Sequence, residues 1–269
     1  MTDLIAQLVE EIGPGHMAST AYDTAWAARL GEIDWDISSK SLAWLAENQL
    51  PDGSWGAPAP MYYHDRVLCT LAAMIALTYR GRRGHDKVQI ENGGLALERI
   101  VGGATLGLQS DPNGATVGFE MIAPTLAAEA ERLGIIKPQG NRILGRLSQM
   151  REKKLAYLKG RMINRHVTMA FSSELAGIDS QHMLDIDNLQ EPNGSVGLSP
   201  SATAYFAAYV RKGDVRSLEY LRQTAKPDGG QPNVSPFDVF EVAWSLWNLS
   251  LIPGLQKTPG LKSHIDFLS

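Results

Sequence analysis

Apolar residues recur every three or four positions along most of this chain, often with alanine-rich faces between the larger side chains. This spacing is typical of amphipathic helices, and no alternating strand pattern of useful length accompanies it. Glycine- and proline-containing segments separate the periodic stretches, as expected for turns between helices. We therefore predict an all-α fold of antiparallel helices. The predicted helices are 2–12, 21–30, 38–48, 64–80, 86–101, 119–133, 141–158, 199–210, 214–224 and 237–249.

A unit consisting of a helix end and a sharp turn occurs three times in degenerate form. Its clearest copy is Gln49-Leu50-Pro51-Asp52-Gly53-Ser54-Trp55, and looser copies begin at Gln190 and Gln223. Proline fixes one backbone angle, Asp or Asn bonds to the nearby backbone, and Gly tolerates a positive φ. The Trp55 ring can then fold back into the core. We interpret the repeats as packing devices, and their recurrence favours helices that close into a ring.

Composition and charge narrow the function classes. The chain has 269 residues, of which 44% are hydrophobic, enough for a large core in one domain or two. Its net charge of −4 argues against a nucleic-acid partner. The longest apolar run, 68–79, is too short to span a bilayer, and the first twenty residues lack a secretory signal pattern. We expect a cytoplasmic protein, with the single cysteine, Cys69, in the core.

Four segments, in this order, resemble class II diterpene cyclases. They are Ser19-Thr20-Ala21-Tyr22-Asp23-Thr24-Ala25-Trp26, the QW-type motif within 44–56, the segment 193–204 and the segment 229–241. The resemblance covers essentially the whole chain and extends to copalyl diphosphate synthases, but its nearest subgroup is the bacterial halimadienyl and kolavenyl diphosphate synthases. It implies that 36–250 form the family's γ domain, an α-barrel resembling an α/α toroid. It also implies that 1–35 pack with the second barrel, the β domain, and that 251–269 begin that domain.

The resemblance implies a reaction and a missing part. Class II cyclases convert geranylgeranyl diphosphate to a bicyclic diphosphate of halimane, clerodane or labdane type after protonating a double bond. Their catalytic acid lies in a D-x-D-D motif of the β domain. Asp185-Ile186-Asp187-Asn188 departs from that motif, and we interpret Asp185 as a helix cap. Because this protonation needs a positioned carboxylic acid in a dry pocket, we expect the chain alone to be inactive.

The resemblance also points to a pair of residues that ends the reaction. Asn233 matches the family's Asn that holds a water for removal of the final proton, and Ser173 stands where plant enzymes have the partner His. A hydroxyl is a poor base, so the carbocation could rearrange before it loses a proton. Asn233 fits equally well as a turn residue before Pro236.

Basic and acidic residues are candidates for the diphosphate and its metal. Lys154, Lys159 and Arg161 lie where the family places groups facing the diphosphate, although solvated surface positions are the alternative. The family's Mg²⁺ motif is reduced here to Asp111. Mg²⁺ often takes one or two carboxylates and shares the substrate's phosphates, so the resemblance implies Mg²⁺ as a cofactor.

A second class of function remains open, a non-catalytic helical barrel that binds an isoprenoid or a protein. If the chain is part of a cyclase, we expect a β domain or subunit carrying D-x-D-D as its partner. Tyr22, Trp26 and the chain after Leu249 would then line an incompletely covered apolar face. Such a face favours capture of that partner or association into a homo-oligomer.

Overall fold

The computed structural model describes residues 2–13, 15, 17–81, 84–110, 118–137, 144–158, 160–253 and 258–269. Helices dominate these residues, which confirms the all-α prediction. The helices are α1 Thr2–Glu10, α2 Ala21–Ala28, α3 Trp35–Glu47, α4 Tyr63–Arg80, α5 Gly84–Ser110, α6 Phe119–Arg132, α7 Leu144–Ala156, α8 Pro200–Tyr205, α9 Val215–Thr224, α10 Asp238–Ser250 and α11 Leu261–Leu268. The 3-10 segments are Thr168–Ala176, Gln181–Met183 and Ile186–Asn188, a π-helical turn covers Phe206–Val210, and two short strands are β1 Ser19–Thr20 and β2 Gln231–Pro232.

The chain forms two compact units. One unit is Ser19–Asn233, and the other combines Met1–Ala18 with Val234–Ser269. The division of the chain at 35 and 250 stays a prediction. Among the described residues, no helix has the length and apolar character needed to cross a membrane.

The unit Ser19–Asn233 is a ring of helices with a second layer outside it. Helix α2 contacts α4, α4 contacts α6, α6 contacts the 3-10 segment Thr168–Ala176, and that segment contacts α8, which returns to α2. Helices α3, α5, α7 and α9 pack on α2, α4, α6 and α8 respectively. Small buried residues such as Ala25, Ala27 and Ala28 let the neighbours of α2 approach closely. Cys69 is buried in this core, as expected.

The first repeated turn joins α3 to α4, the second precedes α8, and the third follows α9. Gln49 donates to the carbonyl of Gly53 at 2.8 Å, and the indole N–H of the fully buried Trp55 donates to the carbonyl of Leu45 at 2.8 Å. In the second copy, Gln190 donates to the carbonyl of Gly194 at 3.0 Å. Both glycines have positive φ, 87° and 90°. The turns are therefore packing devices, as interpreted from the sequence.

The third turn uses a different hydrogen bond. The indole N–H of Trp44 donates to a carboxylate oxygen of Asp228 at 3.0 Å, and the other oxygen accepts from the backbone N–H of Gly230 at 3.0 Å. Strand β2 follows at once and pairs antiparallel with β1, with Thr20 opposite Gln231. The last turn of the ring thereby brings the chain back beside the start of α2.

The second unit has a small core of its own and an exposed aromatic helix face. Val9 is fully buried and lies with Ile5 in this core, against which Leu249, Ile252 and Leu261 pack. Helix α10 exposes several large apolar side chains, and the rings of Phe240 and Trp244 stack with centroids 6.0 Å apart. We call these side chains the α10 face: Val239, Phe240, Trp244, Trp247 and Leu251.

Several local predictions need correction. The predicted apolar face included Trp26, but that ring is only 3% exposed and belongs to the core, whereas α10 exposes Phe240, Trp244 and Trp247. Asp185 precedes a short 3-10 turn without capping it, since its carboxylate accepts from the side-chain amide of Asn188 at 3.0 and 3.2 Å. Helix α11 and the segment Thr168–Ala176 were not predicted, because neither shows a long apolar period.

Candidate functional site

The first turn of α2 carries two polar residues of the site, Tyr22 and Asp23. Thr20 caps the helix: its hydroxyl accepts from the backbone N–H of Asp23 at 3.1 Å and donates to the Asp23 carboxylate at 2.6 Å. The other oxygen of Asp23 accepts from the backbone N–H of Ser201 at 3.1 Å, near the start of α8. The Tyr-Asp pair of the amino-terminal motif thus lies where two inner helices begin.

Glu174 reaches the same place from the opposite side of the ring. The 3-10 segment that carries it is kinked at Ser172, whose φ and ψ are −127° and 40°. Gly197 passes so close that a Cβ there would lie 2.6 Å from the backbone nitrogen of Phe171, which holds the segment inward. The hydroxyl of Tyr22 donates to Oε1 of Glu174 at 2.8 Å. This bond connects residues 152 positions apart in sequence.

Asn233 completes this group of side chains. It directly follows β2, and the backbone N–H of Gln231 donates to the Thr24 hydroxyl at 2.9 Å, which fixes the strand beside α2. Asn233 itself is exposed. The strand pair therefore fixes the position of Asn233 relative to the Tyr-Asp pair.

A cavity of about 100 Å³ lies among these residues. Its apolar lining comes from the first two turns of α4 and α6 and from the 3-10 segment, namely Leu68, Ile122 and Phe171. Its main polar lining is Tyr22, Asp23, Asp65, Glu174, Ser201 and Asn233. The cavity therefore lies at the end of the ring where the inner helices begin, and helix amino termini favour negative charge.

Burial dominates the acid–base behaviour of the site. It raises the pKa of Asp23 to about 6, although hydrogen bonds from Thr20 and Ser201 partly oppose the shift. Burial also raises the pKa of Glu174 to about 8, and the charge of Asp23 adds to the rise, while the Tyr22 hydroxyl opposes it. The pKa of Tyr22 lies well above its usual value, first because of burial and then because of Glu174. The pKa of Glu174 therefore lies close to neutral pH, where general acid–base catalysts are most effective.

Glu174 also has an unsatisfied atom. Its Oε2 is buried and has no well-formed hydrogen bond among the described residues, although the Ser201 hydroxyl lies near enough to influence its pKa. Buried carboxylate oxygens are usually paired, because an unpaired one costs about 1–3 kcal/mol or more. The unpaired Oε2 atom therefore indicates that Glu174 has a role other than stabilising the fold.

The structure separates the two residues of the expected terminal pair. Asn233 lines the cavity, whereas Ser173 is fully buried and is not among the lining residues. The Ser173 hydroxyl has no hydrogen-bond partner among the described residues. Its neighbours in sequence, Ser172 and Glu174, line the cavity instead. The structure therefore brings Asn233 together with Glu174, and the role of the Ser173–Asn233 pair stays a prediction.

Of the predicted diphosphate ligands, the structure describes Lys154 and Arg161. Lys154 forms an ion pair with the carboxylate of Glu120, which is 5% exposed. Arg161 is exposed. Lys159 and the predicted metal ligand Asp111 lie outside the described residues. Among the described residues, no group of three or more His, Cys, Asp or Glu side chains could hold a metal ion.

A second cavity, of about 150 Å³, is lined by Trp26, Arg29, Glu129 and Arg151, with others around them. Arg29 pairs with the buried carboxylate of Glu129, and its guanidinium lies 4.1 Å from the centre of the Trp26 ring. Arg151 donates to the carbonyl of Leu175 at 2.9 Å, and burial lowers its pKa. Because Arg29 pairs with Glu129 and Arg151 bonds to the backbone, we assign this cavity to the packing of the ring, although Nε of Arg151 has no hydrogen-bond partner among the described residues.

Sequence reasoning missed Glu174 and gave Tyr22 only a place on an apolar face. Tyr22 lies in the motif that carried the resemblance, so its hydroxyl could have been considered. Glu174 follows Ser173 in a segment without helical periodicity, and no sequence pattern shows which of these two buried side chains lines the cavity. The structure places Glu174, and not Ser173, among the residues that line the cavity.

Comparison with known proteins finds diterpene cyclases among the relatives of this chain. The chain is 55% identical over 235 residues to the Type B diterpene cyclase of Mycobacterium tuberculosis, covering 87% of this chain and 47% of that protein. The chain is homologous to the class II diterpene cyclases. It is also 34% identical over 238 residues to the ent-kaurene synthase CPS/KS of Physcomitrium patens, covering 86% of this chain and 26% of that protein. No protein-family model matches.

Solved cyclase structures share the fold. Abietadiene synthase from Abies grandis superposes with a TM-score of 0.79 at 26% identity, covering 99% of this chain and 35% of that one. The ent-copalyl diphosphate synthase from Arabidopsis thaliana gives 0.76 at 29% identity, covering 99% and 38%. The chain thus has the α-barrel fold of terpene cyclases, as predicted, and spans less than half the length of these relatives.

Proposed function

We propose that this chain forms one wall of the active site of a class II diterpene cyclase. The enzyme would convert geranylgeranyl diphosphate to a bicyclic diphosphate of halimane, clerodane or labdane type. The observation that supports this most directly is the cavity at the start of the inner helices, where Tyr22, Asp23, Glu174 and Asn233 meet. Acidic and amide side chains beside apolar ones suit a hydrocarbon that carries a positive charge during reaction.

The similar proteins support the substrate class. The Arabidopsis ent-copalyl diphosphate synthase was solved with (S)-15-aza-14,15-dihydrogeranylgeranyl thiolodiphosphate, an isoprenoid with a charged head group. The cavity of this chain, about 100 Å³, is smaller than the roughly 300–1,000 Å³ of typical ligand pockets. A second wall is therefore needed around a twenty-carbon substrate.

We propose that a β domain or subunit carrying D-x-D-D supplies that wall and the catalytic acid. The buried carboxyls of this chain do not suit the initial protonation. The raised pKa of about 8 at Glu174 makes it a weak acid, far from the strength needed to protonate an alkene. The exposed α10 face supports a protein partner, because large apolar patches mark interaction sites. Without its partner, the chain should be inactive.

The remaining ligand assignments stay proposals. Arg161 and Lys159 would contact the diphosphate, and Lys154 would do so by exchanging Glu120 for a phosphate oxygen. Mg²⁺, with Asp111 as a ligand, would neutralise charge on the phosphates when bound. The described residues supply no cluster for it, so we assign it no step. Cytoplasmic location and homo-oligomer formation also stay predictions.

The experiment is a reconstitution. The chain is mixed with a polypeptide that carries D-x-D-D from a related cyclase, and both are incubated with geranylgeranyl diphosphate and Mg²⁺. After removal of the diphosphate, mass spectrometry should show bicyclic products from the mixture and none from either component alone. Products from the chain alone would contradict the missing-acid argument. No products from a mixture that forms a stable complex would favour a non-catalytic barrel.

A further inference from the structure

The two carboxyl oxygens of Glu174 differ in their hydrogen bonding, as expected for a group that transfers a proton. Oε1 accepts from the Tyr22 hydroxyl at 2.8 Å, and Oε2 is buried without a well-formed hydrogen bond among the described residues. The side chain is 1% exposed and lines the same cavity as Asn233. A purely structural carboxylate would be expected to use both oxygens, since the second one otherwise costs stability.

We propose that Glu174 is the base that takes the final proton in the cyclisation, with Tyr22 as its positioning residue. The inference rests on the proposed cyclase function and goes beyond it by naming the proton acceptor. In this step the C–H bond next to the cationic carbon breaks, and its electron pair becomes the new carbon–carbon double bond. The proton passes to Oε2, which converts the carboxylate to a neutral carboxylic acid. Nothing is oxidised or reduced.

Geometry makes Glu174 a better acceptor than Ser173. The Ser173 hydroxyl is buried away from the cavity lining, and a neutral hydroxyl is a weak base. A carboxylate in the same cavity as Asn233 can both stabilise the positive charge through space and accept the proton. Asn233 would orient the substrate or a water in the same cavity. This chain would thus lack the plant-type His but retain a base one residue further along.

The surroundings tune how readily Glu174 ionises. Asp23 on α2 raises its pKa, Asp65 on α4 lines the same cavity, and the hydroxyls of Tyr22 and Ser201 lower its pKa. Burial outweighs these hydroxyls, so its pKa of about 8 leaves a minority of carboxylate at pH 7. The arriving carbocation favours the ionised form, and the raised pKa makes that form a stronger base than an ordinary carboxylate.

The test compares Glu174→Gln with a matched exposed substitution, Glu219→Gln on α9. Each chain is reconstituted with the D-x-D-D polypeptide and geranylgeranyl diphosphate between pH 6 and 9. Glu174→Gln should lower formation of the wild-type olefin at least tenfold and raise the share of hydroxylated bicycles, because water then captures the cation. Glu219→Gln should match the wild type. The wild-type rate of olefin formation should rise with pH through about 8, and the Glu174→Gln profile should be flat.

A second variant guards against a folding defect. Tyr22→Phe keeps the Glu174 carboxyl but removes the hydrogen bond that lowers its pKa, so the midpoint of the pH profile should move upward. An unchanged product profile and rate for Glu174→Gln would overturn the role of Glu174 alone. A wild-type complex that forms but makes no bicyclic product would overturn the proposed function, and this role with it. A pH profile of Tyr22→Phe identical to that of the wild type would also contradict the proposal.

Discussion

The second repeated turn and the cavity each contain a carboxyl group, but the pKa of that group is shifted in opposite directions at the two places. At the second turn, Gln190 donates to Gly194, Asp214 and Ser217 at 3.0, 2.7 and 2.9 Å. Burial raises the pKa of Asp214, but the hydrogen bonds outweigh it, so the pKa lies below its usual value. At the cavity, burial outweighs the hydrogen bonds, and the pKa of Glu174 rises to about 8.

The opposite pKa shifts distinguish a carboxyl group that stabilises the fold, Asp214, from one that could take part in catalysis, Glu174. At the second turn, the hydrogen bonds to Asp214 outweigh its burial and favour its ionised form. Where a buried carboxyl keeps a free oxygen, folding tolerates a cost that function can explain. The ring thus combines well-satisfied turns between its layers with an under-satisfied group at the end where its inner helices begin.

The largest expected effect is on the turns. Trp55 is fully buried and its N–H bonds to Leu45, so Trp55→Ala removes a large apolar side chain and leaves a cavity. We expect a loss of about 3–5 kcal/mol in the free energy of unfolding, measured by urea denaturation. Trp35→Ala is the matched control, since Trp35 is 69% exposed and should change stability by about 0.5 kcal/mol or less. Equal losses in the two variants would contradict the packing role of the turn.

A smaller effect is expected from the backbone of the same turn. Gly53 has a φ of 87°, and a Cβ there would lie 2.6 Å from the carbonyl oxygen of Asn92. Gly53→Ala should cost about 2–3 kcal/mol, since strain and the displaced backbone add. Gly94→Ala on α5 is the control, because its Cβ meets open space and alanine favours helix. Urea unfolding should show Gly94→Ala to be as stable as the wild type or slightly more stable.

The turns could be read from the sequence because their chemistry is local. Pro51, Asp52 and Gly53 specify a turn within three positions, and Trp55 supplies the ring that it must bury. The α-helices of both layers were likewise predicted from their apolar period, although α5 extends to Ser110 where 101 was expected, and the ring segment Thr168–Ala176 was not predicted. The Tyr22–Glu174 bond could not be predicted, because it spans 152 positions and depends on an irregular segment. Local patterns define the fold, and long-range closure of the ring creates the site.

The raised pKa of Glu174 should make the free energy of unfolding depend on pH. The pKa of Glu174 rises from an ordinary 4.5 to about 8 in the folded chain. Protonated Glu174 therefore makes its full contribution to the free energy of unfolding below about pH 4.5, and this contribution is lost as pH rises through 8. Glu174→Gln removes this titration and can still accept the Tyr22 hydrogen bond.

Relative to the wild type, the Glu174→Gln variant should gain stability as pH rises. The gain between pH 6 and 8 should be about 2 kcal/mol, since one pKa unit corresponds to about 1.4 kcal/mol. Urea denaturation of both proteins across that range measures it, and Glu219→Gln, on an exposed position, should show no such trend. A stability difference between Glu174→Gln and wild type that stays constant with pH would mean that Glu174 ionises normally in the fold.

The smallest effect on stability is expected at the α10 face, where the consequence should appear in association instead. Trp244 and Trp247 are 57% and 64% exposed, so replacing both with Ser should change the free energy of unfolding by about 0.5 kcal/mol per site or less. If this face docks the D-x-D-D polypeptide, the double variant should lose binding at least tenfold, because exposed aromatic side chains commonly anchor interfaces.

Sedimentation velocity of the mixture measures formation of the complex, and sedimentation of the chain alone detects any homo-oligomer. Trp35→Ser, an equally exposed tryptophan on α3, should bind like the wild type. Unweakened binding by the double variant would place the partner on another surface, whereas a loss shared by Trp35→Ser would point to nonspecific apolar contact.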